Sequence, residues 1–299
     1  MSEEERAPKR AAVAALDEIL DQEIRVLDRG FVRVVDYMGD DAAIVQAARV
    51  SYGKGTKSLR DDTALIRYLL RHRHTSPFEM CELKLHVKLP IFVARQWIRH
   101  RTANVNEYSA RYSVMEEEFY LPEAGQLGVQ SSENRQGRGD GLRPDDARDV
   151  RRRIAGANER AYELYLLLLN SAGAAEAGSD ERLGLTRELA RIVLPLNTYT
   201  EWYWKTDLHN LLHFLALRAD PHAQYEIRAY AEALLDVVRR WLPITCQAFL
   251  DYQLNAATLS APALAVVKRM VAGETVLREE SGLGAREWRE LMALLERPG

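Results

Sequence analysis

A strictly alternating segment at residues 81–89 constrains the fold of this chain more than any other feature. Its apolar positions are Cys81, Leu83, Leu85, Val87 and Leu89, and the polar positions between them are Glu82, Lys84, His86 and Lys88. Successive side chains of a β-strand point to opposite faces of a sheet, so the alternation predicts a strand. One face of that strand is buried, and the other is either solvated or covered by a partner.

Elsewhere the chain has mainly helical periodicity, with a few isolated strands. Helices are predicted over residues 11–28, 41–49, 62–71, 90–100, 146–171, 180–193, 207–218 and 222–240, and in a helical extension over 255–299. Further strands are predicted over 31–35, 118–121 and 198–204, an irregular segment over 101–113, and a mobile surface loop over 122–145. Isolated strands and long helices without regular βαβ alternation predict an α+β fold.

Charge and composition narrow the class of protein. The 299 residues carry 41 basic and 44 acidic side chains, for a net charge of −3. A general nucleic-acid coat protein would show a basic excess, although a local phosphate pocket remains compatible with this balance. The sequence contains no membrane-length apolar run, no secretory signal and too few cysteines for a disulfide framework. We therefore predict a cytoplasmic protein without a membrane or nucleic-acid partner.

Polar residues suited to ligand binding are concentrated in residues 96–112. They are Gln96, Arg99, His100, Arg101, Asn104, Asn106, Glu107, Ser109, Arg111 and Tyr112. Guanidinium groups beside a serine hydroxyl suit a phosphate, because arginine pairs with phosphate oxygens in bidentate fashion and stays charged at any working pH. The alternative is a solvated basic turn whose arginines pair with surface acids. The apolar run at 91–94 favours the ligand site, because it would hold the arginines on a rigid base.

The same segment carries a family resemblance. Residues 99–112, RHRTANVNEYSARY, resemble the signature RHRxxSxNExSxRY of flavin-dependent thymidylate synthases and match every fixed position except Asn104, where the signature has serine. The resemblance continues at 74–79, 92–97, 190–197 and 217–224 and spans roughly residues 30–254. Outside it lie an N-terminal helical extension, 1–29, and a C-terminal helical extension, 255–299.

The resemblance implies both an architecture and an activity. The architecture is a single large domain with a mixed or antiparallel sheet flanked by long helices, assembled into a homotetramer whose active sites are shared between subunits. The activity is reductive methylation of dUMP to dTMP, with methylenetetrahydrofolate as one-carbon donor and FAD reduced by NADPH. This chemistry needs no enzyme nucleophile, which agrees with two cysteines, Cys81 and Cys246, that are predicted to be core residues.

The family's dUMP-binding positions can be carried over residue by residue. They match Gln96, Arg99, Glu107, Tyr108, Ser109, Ala110, Arg111, Arg191 and Arg218. Ser109 and Arg111 suit the phosphate, and the resemblance implies that Arg191 reaches in from a neighbouring subunit. It assigns Arg218 the catalytic role of favouring ionisation at N3 of the uracil ring, because a fixed cation lowers the pKa of a nearby acidic group. The same cation would stabilise negative charge that develops on the ring.

The family's FAD-binding positions match a partly overlapping set. They are Ser76, Arg99, His100, Arg101, Glu107, Asp207, Leu208, His209 and His213. Some family members have Asn and Arg where this chain has Asp207 and His209, so we expect different hydrogen bonds to the flavin. At Asn104 the serine hydroxyl is replaced by an amide, from which we expect a change in cofactor affinity rather than a loss of activity.

Three other interpretations compete with this one. His209 and His213 are four residues apart and share a helix face, which is typical of a metal site, but no third ligand is apparent and we predict no metal. The basic runs at 71–74 and 151–153 would suit a nucleic-acid binder, although the latter follows three aspartates and is more simply a solvated face. A flavoprotein that binds nucleotide without methylating it is the third, and the intact arginines argue against it.

Overall fold

The computed structural model describes residues 11–50, 59–131, 137–169 and 184–296. Contacts between these residues group the chain into two compact units, Met1–Leu254 and Asn255–Gly299. The first unit holds the main sheet and the larger hydrophobic core. The second has a small core of its own, so it is described separately below.

Seven strands and eleven helices make up the described chain. The strands are β1 (Glu23–Val26), β2 (Gly30–Met38), β3 (Glu82–Pro90), β4 (Asn104–Glu107), β5 (Gly128–Gln130), β6 (Arg138–Gly141) and β7 (Tyr199–Asp207). The helices are α1 (Ala14–Asp17), α2 (Asp41–Arg49), α3 (Leu59–Arg71), α4 (Ile91–Trp97), α5 (Pro144–Leu169), α6 (Arg187–Ala190), α7 (Leu208–Arg218), α8 (Tyr225–Trp241), α9 (Pro243–Phe249), α10 (Ala261–Val271) and α11 (Ala285–Glu296).

The main sheet has the order β1-β2-β3-β7-β4, and every neighbouring pair is antiparallel. β3 lies at its centre, and its predicted alternation is confirmed: Leu83, Leu85 and Val87 are fully buried. Trp202 and Trp204 of β7 are buried as well, and they join the β3 leucines in one hydrophobic cluster with α7 and α8. The α+β class with an antiparallel sheet and flanking helices is therefore confirmed.

The predicted helix over residues 11–28 is wrong for most of its length. Only Ala14–Asp17 is helical, Asp21 has a positive φ of 58°, and Glu23–Val26 forms the edge strand β1. A left-handed residue interrupts a right-handed helix, and pairing with β2 satisfies the backbone of the following residues as a strand. Residues 11–29 thereby pack on the main sheet, with Leu16 and Val26 in its core.

Other predicted elements are corrected in detail. The segment 101–113 contains strand β4 rather than being wholly irregular, and 118–121 forms a single bridge, Phe119 to Thr198, rather than a strand. The predicted loop at 122–145 contains the antiparallel pair β5–β6, and its residues 132–136 lie outside the described residues. Of the predicted helix over 180–193, the described part is α6 followed by a 3-10 turn, Arg191–Val193. At 101–113, pairing with the distant strand β7 decided the conformation.

The second unit consists of α10, a 3-10 turn and α11. Ser260 caps α10 by accepting a hydrogen bond from the backbone N–H of Ala263. Val266 of α10 and Leu291 of α11 are buried in one hydrophobic cluster, and Trp288 packs against it. Among the described residues of both units, no helix has the length and apolar character needed to cross a membrane.

Candidate active site

A cavity of about 260 Å³ lies where the end of α4, the end of β7 and one side of α7 meet. Its lining residues are Arg99, His100, Arg101, Thr102, Trp204, Thr206, Asn210, His213, Leu217 and Arg218. Five of these residues, Arg99, His100, Arg101, His213 and Arg218, were expected from the sequence to bind ligand. The cavity brings the helix end after Trp97 together with residues more than a hundred positions later, so tertiary structure creates it.

His100 and Arg218 are joined inside this cavity. Arg218 Nε donates a hydrogen bond to His100 Nε2 over 3.2 Å. Burial, together with the charges of Arg218 and His213, lowers the pKa of His100 to about 4. A histidine with this pKa is neutral near pH 7, so it accepts from Arg218 without repelling it. Since a guanidinium has five N–H donors, the remaining donors of Arg218 stay available to a ligand.

An aromatic cluster supports the cavity from the core side. Trp97 is fully buried, and its ring centroid lies 5.4 Å from that of Trp204 and 4.7 Å from that of Phe214. The imidazole of His100 packs edge-on against Phe214 with a centroid separation of 5.0 Å. Close-packed aromatic rings hold their neighbours in fixed orientations. The arginines after α4 therefore stand on a rigid base, as the apolar run at 91–94 led us to expect.

Several lining residues were missed by sequence reasoning. They are Thr102, Trp204, Thr206, Asn210 and Leu217. Trp204 and Thr206 share one face of β7 because they are two residues apart. The usable signal in the sequence was that Trp202, Trp204 and Thr206 alternate with Tyr203 and Lys205. Asn210 and Leu217 carried no comparable signal, because their part in the site depends on how α7 is rotated against β7.

The predicted flavin residues at the start of α7 have different surroundings. The Asp207 carboxylate caps the helix, accepting hydrogen bonds from the backbone N–H of Asn210 (2.9 Å) and its Nδ2 (2.7 Å). Leu208 is fully buried, whereas His213 lines the cavity and its ring centroid lies 5.5 Å from that of His100. His209 is part-exposed outside the lining set. Ser76 is exposed in the turn that leads into a 3-10 helix, Phe78–Met80, which contacts α7.

A second group of predicted ligand residues lies beyond the other end of β4. Arg111 pairs with Glu188 through Nη2 (2.7 Å) and Nε (2.9 Å), and Arg191 Nε donates to the backbone carbonyl of Glu188 over 3.2 Å. Ser109 Oγ accepts a hydrogen bond from the backbone N–H of Arg111 over 3.3 Å. Arg111 and Glu188 also line a separate open cavity of about 500 Å³. Arg111 and Arg191 thus both contact Glu188, the first through its carboxylate and the second through its backbone carbonyl, and Ser109 lies beside Arg111.

The remaining predicted nucleotide residues lie between or beside these two groups. Glu107 ends the exposed edge strand β4, and its Oε1 accepts from the Thr200 hydroxyl over 2.9 Å. Tyr108 is exposed, and Ala110 is buried in a small cluster with Met115. Gln96 lies in the last turn of α4, and its backbone carbonyl accepts a hydrogen bond from the Arg99 N–H over 3.4 Å. The Gln96 side chain donates to the side-chain oxygen of Gln224.

In the single chain, the arginine–histidine cavity and the Ser109–Arg111–Arg191 group are separate. None of the residues that the structure describes lines both cavities. β4 lies between them, and four residues of strand span about 10 Å from first to last. A nucleotide that contacts Arg218 with its base and Arg111 with its phosphate would have to bridge that gap within one chain.

The structure also bears on metal and thiol chemistry. The described residues contain no group of three or more His, Cys, Asp and Glu side chains placed to hold a metal ion.

The two cysteines, Cys81 and Cys246, are both buried. Burial raises the pKa of the Cys81 thiol to about 12, with Asp40 and Asp41 adding to the effect, and burial also raises the pKa of Cys246. Neither thiol is ionised near neutral pH, so neither is poised as a nucleophile.

A cavity lined by three arginines on an α+β scaffold, with a second arginine group nearby, is chemically suited to phosphorylated ligands. Comparisons with known proteins identify the family. A family profile described as thymidylate synthase complementing protein matches residues 33–244. A flavin-dependent thymidylate synthase of Gluconobacter oxydans is 59% identical over 98% of this chain and 94% of its own length. One from Rickettsia bellii is 57% identical over 97% of this chain and 99% of its own. The chain belongs to the flavin-dependent thymidylate synthase family.

A solved structure agrees with this assignment. The crystal structure of a UMP/dUMP methylase from Streptomyces cacaoi, bound with 5-Br UMP, is 36% identical in sequence to this chain. It matches with a TM-score of 0.67, covering 77% of this chain and 99% of the other. The family expected from residues 99–112 is thereby confirmed.

Proposed function

We propose that this chain methylates dUMP to dTMP as a flavin-dependent enzyme, and we assign this chemistry to the domain proposed at residues 30–254. The observation that carries the proposal is the Arg218–His100 pair inside a cavity lined by Arg99 and Arg101. The relatives named for this reaction match nearly the whole chain. A permanently charged guanidinium beside a neutral imidazole supplies a cation that a pyrimidine ring can use.

The residues around the cavity suit FAD. Within the described residues, neither Arg99 nor Arg101 forms an ion pair with a carboxylate, so both cations remain available for a pyrophosphate. We propose that Ser76, Arg99, His100, Arg101, Glu107, Asp207, Leu208, His209 and His213 contact the cofactor. When bound, FAD would supply the redox chemistry of the methylation. The buried ring of Trp204, part of the aromatic cluster, excludes water from one side of the site.

We propose that Arg218 acts on the uracil ring and that Ser109, Arg111 and Arg191 bind the phosphate. The Arg218 cation favours an ionised N3 and stabilises negative charge developing on the ring. Burial lowers the pKa of Arg218 from its usual value, and a guanidinium starts so high that it stays charged. The other nucleotide contacts in the proposal are Gln96, Arg99, Glu107, Tyr108 and Ala110. No step requires a cysteine.

We propose further that each active site is built from more than one copy of the chain, in a homotetramer. The separation of the Arg218 cavity from the Arg111 group supports this, because a second copy can bring the missing group to each cavity.

Mixing Arg218→Ala and Arg111→Ala subunits tests the shared site, with each variant alone as control. Random assembly should restore about one quarter of wild-type activity, because one pairing in four has both arginines at one site. A mixture that stays as inactive as its components would contradict shared sites.

The one-carbon donor is proposed to be methylenetetrahydrofolate, and the reductant NADPH. The test is to follow flavin bleaching by NADPH under nitrogen, with and without dUMP, in wild-type protein and Arg218→Ala. We expect the variant to retain flavin and lose most dUMP-dependent turnover, because the ring loses its cation. Wild-type rates in Arg218→Ala would refute its catalytic role. A protein that takes up no flavin would refute the proposed function as a whole.

A further inference from the structure

A buried carboxylate, Glu226, lies two hydrogen bonds away from Gln96. Glu226 is 3% exposed. Its Oε1 accepts hydrogen bonds from Arg138 Nη2 (2.8 Å) and from the Tyr120 hydroxyl (3.2 Å), and its Oε2 accepts from Gln224 Nε2 (2.7 Å). Arg138 supplies the opposite charge that a buried carboxylate requires. All the observed partners of this carboxylate are thus donors, and one of them, Gln224, is hydrogen-bonded in turn to Gln96 at the end of α4.

Tyr120 keeps its donor role at every working pH. Burial raises the pKa of the Tyr120 hydroxyl, and the negative charge of Glu226 raises it further. The phenol therefore stays protonated and donates its O–H to the carboxylate. Together with Arg138 it occupies Oε1, which leaves Oε2 for Gln224.

The order of donors and acceptors is fixed from this buried end outward. An ionised carboxylate only accepts hydrogen bonds, so Gln224 has to present Nε2 to Glu226. The carbonyl Oε1 of Gln224 then faces α4 and accepts a hydrogen bond from Gln96 Nε2. Gln96 is left with its carbonyl oxygen and one N–H. A free glutamine amide has no such preference, because its oxygen and nitrogen ends have nearly the same shape.

The orientation of Gln96 matters because of where it lies. Gln96 lies in the last turn of α4, its backbone carbonyl accepts a hydrogen bond from the Arg99 N–H over 3.4 Å, and Arg99 lines the cavity that holds Arg218. dUMP carries a donor group in its sugar hydroxyl, whatever the protonation state of the ring. A carbonyl oxygen recognises such a donor, whereas an amide turned the other way would set donor against donor.

We propose that Glu226 is a positioning residue for nucleotide binding: through Gln224 it orients the amide of Gln96 so that its carbonyl oxygen accepts a hydrogen bond from a donor group of the substrate. We refer to these three side chains as the Glu226–Gln224–Gln96 relay. The inference rests on the proposed dUMP-methylating function and adds to it a group that touches neither substrate nor cofactor.

The test is the dissociation constant of dUMP for the flavin-loaded enzyme. Gln224→Ala breaks the relay at an exposed side chain, and Glu226→Gln removes the acceptor-only group at its buried end. Both should weaken dUMP binding about 3- to 10-fold, the effect of one net hydrogen bond. Gln224→Ala covers the outcome in which the buried substitution prevents folding.

A double-variant comparison separates positioning from a general structural effect. In a Gln96→Ala background, Gln224→Ala should cause no further loss, because the relay no longer has an end to orient. Tyr120→Phe is the matched control: it removes another hydrogen bond to Glu226 without touching the relay, so dUMP binding should stay within about twofold of wild type.

Two results would overturn the inference. One is wild-type affinity for dUMP in Gln224→Ala, and the other is an equal loss with and without Gln96. Either result, obtained while the wild-type enzyme binds dUMP, removes the relay and leaves the proposed function standing. A flavin-loaded wild-type enzyme that does not bind dUMP would refute the proposed function, and the relay with it.

Discussion

Acidification should destabilise the unliganded protein through His100, and the structure sets the size of the effect. Burial, reinforced by Arg218 and His213, lowers the pKa of His100 from 6.5 to about 4. The unfolded chain therefore becomes protonated at His100 below pH 6.5, whereas the folded chain becomes protonated there only near pH 4. The contribution of neutral His100 to the free energy of unfolding is present in full above pH 6.5 and is lost as the pH falls towards 4.

The magnitude follows from 1.36 kcal/mol for each pKa unit, or at most about 3.4 kcal/mol for the whole difference. The imidazole faces an open cavity, and solvent screening reduces that value, so we expect about 1–2 kcal/mol between pH 7 and pH 4.5. Urea unfolding at fixed protein concentration, without flavin or nucleotide, measures it. His100→Asn keeps an acceptor for Arg218 but has no titrating group, so it should lack this component of the pH dependence.

An NMR titration of the His100 imidazole tests the lowered pKa directly. The imidazole resonances of His100, assigned by their absence from His100→Asn, should shift with a midpoint near pH 4. Arg218→Ala should move that midpoint upward, because it removes one of the charges that lower the pKa. A wild-type midpoint near 6.5, or identical pH dependence of unfolding in wild type and His100→Asn, would refute the assigned burial and charge.

Three further predictions concern Glu188 beside Arg111, Trp97 in the aromatic cluster, and Asn104, where the family signature has serine. Glu188→Gln should tighten dUMP binding about 2- to 5-fold in a titration, because the phosphate no longer competes with an exposed carboxylate for Arg111; weaker binding would contradict this. Trp97→Ala should lower the free energy of unfolding in urea by about 3–5 kcal/mol, because a fully buried ring is removed, and a loss below about 1 kcal/mol would show a looser core. Asn104→Ser should retain turnover and shift the FAD dissociation constant, because this residue lies on exposed β4; abolished turnover would assign it a catalytic part.

The central strand and the family could be predicted from the sequence because their signals are local. β3 is long enough for its alternation to stand out, and the run at 99–112 carries its fixed polar residues close together. β1 could not be predicted in the same way. It has four residues, and it becomes a strand because β2 supplies hydrogen-bonding partners, whereas its apolar spacing alone also fits a helix.

The two-part arrangement of the site also lies beyond sequence reasoning. Arg111 and Glu188 are 77 residues apart in the chain, and nothing local indicates that they pair. Glu226 is a stronger example, because an isolated acidic residue on an amphipathic helix is normally read as solvent-exposed. Its burial follows from Arg138 and Gln224 reaching the same point, which is a property of the assembled fold.

Isotope transfer tests the central claim most directly. The purified enzyme would be incubated under nitrogen with FAD, NADPH, dUMP and methylenetetrahydrofolate labelled with carbon-13 in its one-carbon group, and the nucleotide would be analysed by mass spectrometry. The account predicts dTMP carrying the label in its methyl group, formed only when flavin is present and lost in Arg218→Ala. Unchanged dUMP in the complete mixture, with flavin bound and reduced, would contradict it.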